Sequence, residues 1–331
     1  MISQVDILET EIVENYPDVL EILLKDRTSG KNIIWATKNY EFLSEAYSEK
    51  KSIRLKDIIG INDNVIKPRV QKDELQKLFR VKNMAEVFTP SWVCNLQNNL
   101  IDNAWFGRKN VFNKEIPEKK NWETVEKKIV FPKDKTWIDY VMDKRMEISC
   151  GEAPYITSRY DATTGEFIEV NNRIGLLDRK LRVINENVIS MSQWLEYTIK
   201  AYKNIYGYEW QGDSLLLARE AMLFTFIENF KLKFKEEPDL SSIQEIAEII
   251  SWNVWQMDGL KGVIPLSCNT EKRKIIDLFG EEEIEGTECP GCKNNEIHKH
   301  NGKYCIIMDW FGNGNTISKE KKIKFVDLIK K

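Results

Sequence analysis

The stretch Glu147-Ile-Ser-Cys-Gly-Glu-Ala-Pro-Tyr155 decides the fold, because it predicts a strand that ends in a tight turn. A later stretch, Tyr206-Gly-Tyr-Glu209, predicts a strand that ends in an acid and leads into an apolar helix. Parallel strands with acidic ends place carboxylates and helix amino termini at one edge of a sheet, where the hydroxyl groups of a nucleoside can bind. The two stretches therefore predict an open α/β sheet with a nucleoside cofactor at its carboxyl edge.

The composition is that of a globular protein without a membrane segment. Of the 331 residues, 42% are hydrophobic and 31% are charged, which excludes the disordered and fibrous classes. The first 20 residues contain no Lys or Arg, and no apolar run reaches the roughly 18 residues of a membrane helix. Six cysteines without regular spacing are typical of a reduced intracellular protein. We therefore expect a cytoplasmic protein with no membrane partner.

Charge and tryptophan content bear on DNA as a partner. The net charge of −3 excludes DNA binding by bulk electrostatics alone. Lys and Arg are locally dense between Lys67 and Arg80, so a DNA contact needs this patch or a partner chain. The ten tryptophans have two interpretations, buried stacking in the core or stacking on adenine or another base.

The sequence pattern divides the chain into three parts. Residues 1–80 predict an N-terminal α/β extension without a chemical motif, residues 81–270 a doubly wound domain, and residues 271–331 a Cys/His-rich loop with the final sheet elements. The second part predicts helices at 91–101, 192–205 and 213–230, a helix after a capping box at 241–244, a surface loop at 109–135 and a third strand at 252–258. Strands that alternate with long helices favour a mostly parallel, Rossmann-like sheet.

In their order along the chain, these segments resemble the S-adenosylmethionine-dependent DNA adenine methyltransferases of restriction-modification systems, including proteins known as restriction endonuclease subunit M. Phe88-Thr89-Pro90 resembles the family's leading motif, whose backbone and aromatic ring touch the methionine end of the cofactor. Glu147 to Tyr155 resembles the family's Asp-Pro-Ala-Cys-Gly-x-Gly-x-Phe turn, with Cys150 and Gly151 retained and Tyr155 in the aromatic position. The resemblance covers about residues 80–310. It implies that the residues of these two motifs bind S-adenosylmethionine: Phe88, Thr89, Pro90, Glu147, Cys150, Gly151 and Tyr155.

Three later residues complete the resemblance. Glu209 falls where the family's second acid binds the ribose hydroxyls, Trp210 where a side chain packs on adenine, and Asp258 where an acid meets the adenine amine. Each feature also has a structural interpretation: Phe-Thr-Pro as a helix start, Cys-Gly as a tight turn, and the acids as caps at strand ends. The order of the features along the chain favours the cofactor site.

Two departures from the family pattern concern cofactor binding and catalysis. Ala153 stands where the family has its second glycine, and Pro154 after it has no amide N–H to donate. The family's catalytic loop has an Asn or Asp, two prolines and an aromatic residue that stacks the flipped base. None of the nine prolines of this chain is adjacent to another. The nearest catalytic candidates are Asp309 and Trp310, an acid and an aromatic residue at the end of an apolar strand.

The resemblance implies two alternative functions. One is a DNA adenine methyltransferase of a restriction-modification or phage-defence system, with S-adenosylmethionine as cofactor and DNA as partner. The other is a catalytically inactive module of the same fold that acts as a DNA-binding, regulatory or anti-restriction subunit. Because 21 residues follow Trp310, we expect a C-terminally incomplete sheet. The chain is then either a cofactor-binding half, for which a second protein subunit completes the sheet or supplies target recognition, or a relative that has lost catalysis.

A metal site is predicted by Cys289-Pro-Gly-Cys292, because such a turn directs two thiolates towards one ion. Both histidines of the chain and half of its six cysteines lie between residues 289 and 305. We expect zinc ligands at Cys289, Cys292, Cys305 and His300, with Cys268 as the substitute if His300 is not a ligand. The alternatives are an exposed loop with incidental thiols and a thioredoxin-like redox turn. The redox turn is disfavoured because no helix is predicted to follow it.

Overall fold

The computed structural model describes residues 7–72, 89–270, 288–312 and 320–329, together with Val5 and the backbone of two strands at 272–277 and 280–285. Its helices are α1 (Glu9–Asn15), α2 (Val19–Leu24), α3 (Ser91–Phe106), α4 (Trp137–Met142), α5 (Leu176–Asn187), α6 (Met191–Tyr202), α7 (Gly212–Phe234), α8 (Leu240–Asn253) and α9 (Pro290–Asn294). Its strands are β1 (Asn113–Ile116), β2 (Asn121–Thr124), β3 (Arg145–Ile148), β4 (Ile205–Glu209), β5 (Val254–Gln256), β6 (Lys272–Asp277), β7 (Gly280–Glu285), β8 (Ile306–Asp309) and β9 (Lys321–Lys324). Within this described part of the chain, no helix combines the length and the apolar character that a bilayer crossing requires.

A three-stranded parallel sheet carries the candidate site. Its strand order is β3, β4, β5, with Ile148 opposite Tyr208 and Glu209 opposite Gln256. Every residue of β4 and β5 is buried, as expected for parallel strands that are covered on both faces. The predicted mixed α/β fold with a parallel sheet is thereby confirmed.

Helices α7 and α8 pack against β4 and β5. In chain order, α6 precedes β4, α7 follows it and α8 precedes β5. Nearly all residues of α7 up to Phe230 are buried. This helix carries apolar residues on all of its faces, as interior helices do. Helices α6 and α7 agree with the predicted segments to within a few residues. The cap of α8 differs from the prediction, because the Asp239 side chain accepts the hydrogen bond from Ser242 N–H at 2.8 Å.

The N-terminal extension packs directly against the sheet. The Gln256 side chain on β5 pairs with Ile34 in both directions: Ile34 N–H donates to Oε1 at 2.8 Å, and Nε2 donates to the Ile34 carbonyl oxygen at 2.8 Å. At the start of α7, Gly212 N–H donates to the Trp35 carbonyl oxygen at 3.0 Å. Ile33 and Trp35 are buried in the same hydrophobic core as β4 and α7. The extension therefore helps to form the core around the sheet.

Three antiparallel strand pairs accompany the parallel sheet in the described part of the chain. Strands β1 and β2 pair within residues 109–135, so the predicted surface loop contains regular structure. Strands β6 and β7 form the second pair, and strands β8 and β9 form the third. Cys305, just before β8, donates its thiol to the Gln256 carbonyl oxygen at the carboxyl end of β5, at 3.3 Å. Trp310, just after β8, donates its indole N–H to Asn253 Oδ1 at the amino end of β5, at 2.7 Å. Strand β8 therefore runs opposite to the parallel strands.

A buried lysine holds the amino ends of β3 and β4. Lys180 on α5 is 1% exposed. Its Nζ donates to the carbonyl oxygens of Val141 at 3.0 Å, Asp143 and Asn204 at 3.4 Å, which lie shortly before the two strands. Burial lowers the pKa of the Lys180 ammonium to about 7, and the charge of Arg145 adds to the lowering.

Lys180 is expected to make stability depend on pH above neutrality. Its pKa is about 7 in the folded protein and 10.5 ordinarily, so between these values the unfolded chain binds one more proton and stability rises with pH. We expect the free energy of unfolding in urea to rise, relative to Lys180→Met, by about 1.4 kcal/mol between about pH 8 and about pH 9. Lys200→Met on α6, which removes a more exposed lysine paired with Glu196, should keep the wild-type slope. Equal slopes for wild type and Lys180→Met would contradict the assignment.

Candidate functional site

The carboxyl ends of the parallel strands bring the three predicted acids to one edge of the sheet. Glu147 lies in β3, Glu209 is the last residue of β4, and Asp258 follows β5 by two residues. The last two strand ends are joined by a backbone hydrogen bond, in which Met257 N–H donates to the Glu209 carbonyl oxygen at 3.0 Å. The acids therefore lie on neighbouring strands.

Glu209 attaches the turn after β3 to the end of β4. Its Oε2 accepts hydrogen bonds from Ser149 Oγ at 2.5 Å and from Gly151 N–H at 2.9 Å, and its Oε1 accepts one from Gln211 N–H at 3.2 Å. Because a carboxylate has about four acceptor sites, these three donors leave room for one more. Ser149 and Gln211 were not predicted as site residues, although each lies within two residues of a predicted one. That proximity is the only signal for them in the sequence.

Glu147 shapes the same turn from inside the protein. Its carboxylate accepts hydrogen bonds from Tyr155 N–H at 3.4 Å and from Ile156 N–H at 3.2 Å. Burial raises the pKa of Glu147 well above its ordinary value; the two N–H groups oppose this rise, and the charge of Glu209 adds to it. In this structure Glu147 therefore fixes the loop after β3.

The turn after β3 has two residues in the left-handed region of backbone conformation. Gly151 has a φ of +53° and Ala153 a φ of +60°, values that favour glycine. Cys150 is buried against Gly207 of β4, where an added Cβ would lie 3.3 Å from the Cys150 Sγ. Burial also raises the pKa of the Cys150 thiol well above its ordinary value. Cys150 therefore acts as an apolar packing residue that ties the turn to β4.

The segment before α3 lies beside this turn. Thr89 forms a hydrogen bond with the Tyr155 side chain, and Asn98 on α3 donates to the Tyr155 carbonyl oxygen at 3.0 Å. Pro90 directly precedes α3, in agreement with the predicted helix start. Phe88 lies outside the described residues. The structure thus brings Thr89 and Pro90 close to the turn after β3, which the family resemblance assigns to the same site.

A cavity of about 320 Å³ opens beyond the ends of β4 and β5 and is lined by Trp210 and Asp258. Its volume falls within the range of about 300–1,000 Å³ that is usual for small-molecule sites. Trp210 is half-buried, and its Nε1 donates to the Ala36 carbonyl oxygen at 2.9 Å. Asp258 accepts a hydrogen bond from Leu260 N–H at 3.1 Å and lies 3.5 Å from Lys261 Nζ. Three cysteines line the same cavity: Cys268, Cys289 and Cys292.

These cysteines form a compact group with a histidine. The ligand atoms of Cys268, Cys289, Cys292 and His300 all lie within 4.8 Å of one another. The Sγ atoms of the three cysteines lie 3.7, 3.7 and 3.6 Å from His300 Nδ1. Such a Cys3His group can bind a metal ion such as zinc.

The membership of this group differs from the prediction at one position. Cys305, predicted as a ligand, is fully buried, and its thiol donates to the Gln256 carbonyl oxygen. Cys268 takes its place, whereas the sequence offered Cys268 only as a substitute for His300. The chain after Asp258 folds back along the segment before β8, where Ile264 N–H donates to the Lys303 carbonyl oxygen at 2.8 Å. Helix α9, which was not predicted, follows Cys289.

The pKa values of two thiols in the group are shifted in opposite directions. Burial tends to raise the pKa of Cys289, but N–H groups of the Asn301 and Cys292 backbone, together with His300, lower it to about 6. Burial and the neighbouring thiols raise the pKa of Cys268 to about 12. Because three adjacent thiolates repel one another, a cation among them would favour the fully ionised group.

Asp309 and Trp310, the predicted catalytic pair, lie at the other end of the sheet. Asp309 Oδ1 is 3.5 Å from Nζ of Lys144, the residue directly before β3. Lys203, shortly before β4, lies with its Nζ 4.6 Å from the centroid of the Trp310 ring. Because β8 runs opposite to the parallel strands, its last residues reach the amino edge and not the carboxyl edge. The structure therefore does not bring this pair to the cavity.

No protein-family model, curated protein or solved structure matches this chain. The carboxyl edge offers an aromatic side chain and an acid that line one cavity, beside a Cys3His group that could hold a metal ion.

Proposed function

We propose that the chain is a nucleoside-binding module of the S-adenosylmethionine-dependent methyltransferase type, with the adenosine part of the cofactor in the cavity at the carboxyl edge. The proposal rests on one observation: Trp210 and Asp258, which come directly after β4 and shortly after β5, line the same cavity. Trp210 supplies an aromatic surface on which adenine can stack. Asp258 supplies a charged acceptor for the adenine amine.

The arrangement of the sheet supports this assignment. Nucleotides bind at the carboxyl ends of parallel strands in Rossmann-like sheets, and β3, β4 and β5 are parallel neighbours in chain order. Glu209 would hold a ribose hydroxyl with its one remaining acceptor site. Its three internal donors compete for the same carboxylate, so we expect modest affinity.

We propose that this chain does not transfer a methyl group to DNA by itself. The sequence has no Pro-Pro catalytic loop, and Asp309 and Trp310 lie at the amino edge, beside Lys144 and Lys203. This placement favours the inactive module over the complete DNA adenine methyltransferase. Methylation of adenine in DNA would then need catalytic residues and target recognition from a second subunit.

Calorimetric titration with S-adenosylhomocysteine and S-adenosylmethionine tests cofactor binding. Loss of a stacked aromatic ring or of a charged hydrogen-bond acceptor costs about 1–3 kcal/mol, so we expect Trp210→Ala and Asp258→Asn each to weaken binding about 5- to 150-fold. If the wild-type protein binds neither compound at millimolar concentration, the proposal is wrong.

Two matched variants control for general effects. Trp122→Ala removes a half-buried tryptophan of β2, and Asp309→Asn neutralises an acid at the amino edge; both should retain the wild-type affinity. An equal loss of affinity in these controls would mean that the cavity is not the binding site. Methylation of DNA by the purified chain alone would overturn the assignment as a non-catalytic module.

A further inference from the structure

We propose that Cys268, Cys289, Cys292 and His300 bind one Zn²⁺ ion tetrahedrally, with Nδ1 of His300 as the nitrogen ligand. This inference goes beyond the proposed function and does not depend on it. The ligand set comes from the folded chain, because it contains Cys268 in place of the Cys305 that the sequence spacing favours.

The three sulfur-to-nitrogen distances fit a tetrahedral zinc site. Zinc binds sulfur at about 2.3 Å and imidazole nitrogen at about 2.0–2.1 Å, so the sulfur-to-nitrogen edges of a regular tetrahedron are about 3.6 Å long. The three observed separations between Sγ atoms and His300 Nδ1 are 3.7, 3.7 and 3.6 Å. All three edges therefore agree with a single ion at the centre.

Hydrogen bonding alone does not account for this arrangement. A ring nitrogen of histidine carries either one hydrogen or one in-plane lone pair, so it has one principal partner. Here three sulfur atoms surround Nδ1 at nearly equal distances. An ion that accepts the lone pair of Nδ1 and binds all three sulfur atoms explains why they converge.

Backbone contacts hold the ligands in place. Asn301 N–H donates to the Cys289 Sγ at 3.2 Å, which stabilises a thiolate at that position. His300 N–H donates to the Tyr304 hydroxyl at 2.8 Å, and this hydroxyl donates to the Ile297 carbonyl oxygen at 2.8 Å. These bonds fix the loop from which His300 reaches the cysteines.

Two glycines permit the close approach of the ligand-bearing segments. A Cβ at Gly291 would lie 2.5 Å from His300 N and 2.6 Å from its Nδ1. A Cβ at Gly302 would lie 2.7 Å from Ser267 Oγ and 2.9 Å from the Cys268 Sγ. A side chain at either position would displace a ligand residue, His300 in one case and Cys268 in the other, so both positions require glycine.

The chemistry of the ligand set favours a structural zinc ion. Three thiolates and one imidazole select a borderline-soft ion such as Zn²⁺, and four protein ligands leave no position for a substrate. The ion would join three segments, which carry Cys268, the turn from Cys289 to Cys292, and His300. We infer that it holds this wall of the cavity in place.

Metal analysis of the purified, reduced protein tests the site. We expect about one equivalent of zinc in the wild type and less than about a fifth of an equivalent in Cys268→Ser and His300→Ala. The matched controls are Cys305→Ser and His298→Ala, which change a buried thiol and the other histidine and should retain the wild-type zinc content. Retention of zinc by Cys268→Ser together with its loss from Cys305→Ser would overturn the proposed ligand set.

A cobalt titration keeps the test independent of how well the variants fold. Wild-type protein freed of zinc and reconstituted with Co²⁺ should show the visible absorption of tetrahedral cobalt with thiolate ligands, with saturation at about one equivalent. Gly291→Ala should bind Co²⁺ at least about tenfold more weakly because its methyl group would displace His300. Absorption of an octahedral ion, or no uptake by the reduced wild type, would exclude the site.

Discussion

Arg219→Met is expected to lower the free energy of unfolding by about 3–5 kcal/mol, because several buried carbonyl oxygens would lose their donor at once. The guanidinium of Arg219 donates to the carbonyl oxygens of Leu23, Lys25 at 3.0 Å, Ser251 at 3.3 Å and Val254 at 2.8 Å. Burial lowers its pKa to about 9. This one side chain therefore joins α7 to the N-terminal extension and to the segment from α8 to β5.

The measurement is urea unfolding of wild type and variant at neutral pH, with the midpoint and slope compared. Lys231→Met, near the end of α7, is the matched control, because Lys231 is paired with Glu237 near the surface and its loss should cost less than about 1 kcal/mol. If Arg219→Met costs no more than Lys231→Met, the buried contacts of Arg219 do not hold the extension.

Gly212→Ala is expected to lower the free energy of unfolding by about 2–4 kcal/mol, because an added methyl group would overlap the backbone of the extension. A Cβ at Gly212 would lie 2.1 Å from the Ile34 carbonyl oxygen and 2.9 Å from Ile53 Cδ1. The same glycine donates its N–H to the Trp35 carbonyl oxygen. The substitution would therefore push Ile34 away from Gln256, which is its partner on β5.

Gly60→Ala separates this steric cost from the cost of backbone conformation. Gly60 has a φ of +64° with no atom within 4 Å of an added Cβ, so its substitution should cost about 1 kcal/mol. Thermal and urea unfolding of both variants measure the difference. A Gly212→Ala protein as stable as the Gly60→Ala protein would mean that the extension does not pack tightly on α7.

The sequence predicted those parts of the fold that local pattern controls. The apolar run before Glu209 and the long apolar segment after it correspond to β4 and α7, because buried parallel strands and interior helices require such runs. Glu209 ends β4 and Asp258 follows β5, so both acids lie at the same edge of the sheet. These positions follow from the parallel direction of the strands and need no side-chain detail.

The sequence did not predict contacts between distant segments. The direction of β8 depends on its packing against β5 and on its pairing with β9. No local pattern encodes these contacts, so the sequence did not show that Asp309 lies at the amino edge of the sheet, away from the cavity. The ligand role of Cys268 depends on the fold-back at Ile264 and Lys303. Gln256 is a polar residue in a buried strand, and a buried amide side chain needs hydrogen-bond partners. The sequence therefore indicates that another segment contacts Gln256, although it does not identify that segment as Ile34.

The shared wall of the cavity has a thermodynamic consequence. Cys268, Cys289 and Cys292 line the space that Trp210 and Asp258 also border, so a small molecule in that space and a cation on the thiols would each change the other's affinity by the same factor. A chelating buffer, which removes the cation, would then change the apparent affinity for the small molecule without binding to the cavity itself. Conversely, a saturating small molecule would change the affinity for the cation by that same factor, and the metal content of a sample would determine the affinity that a titration measures.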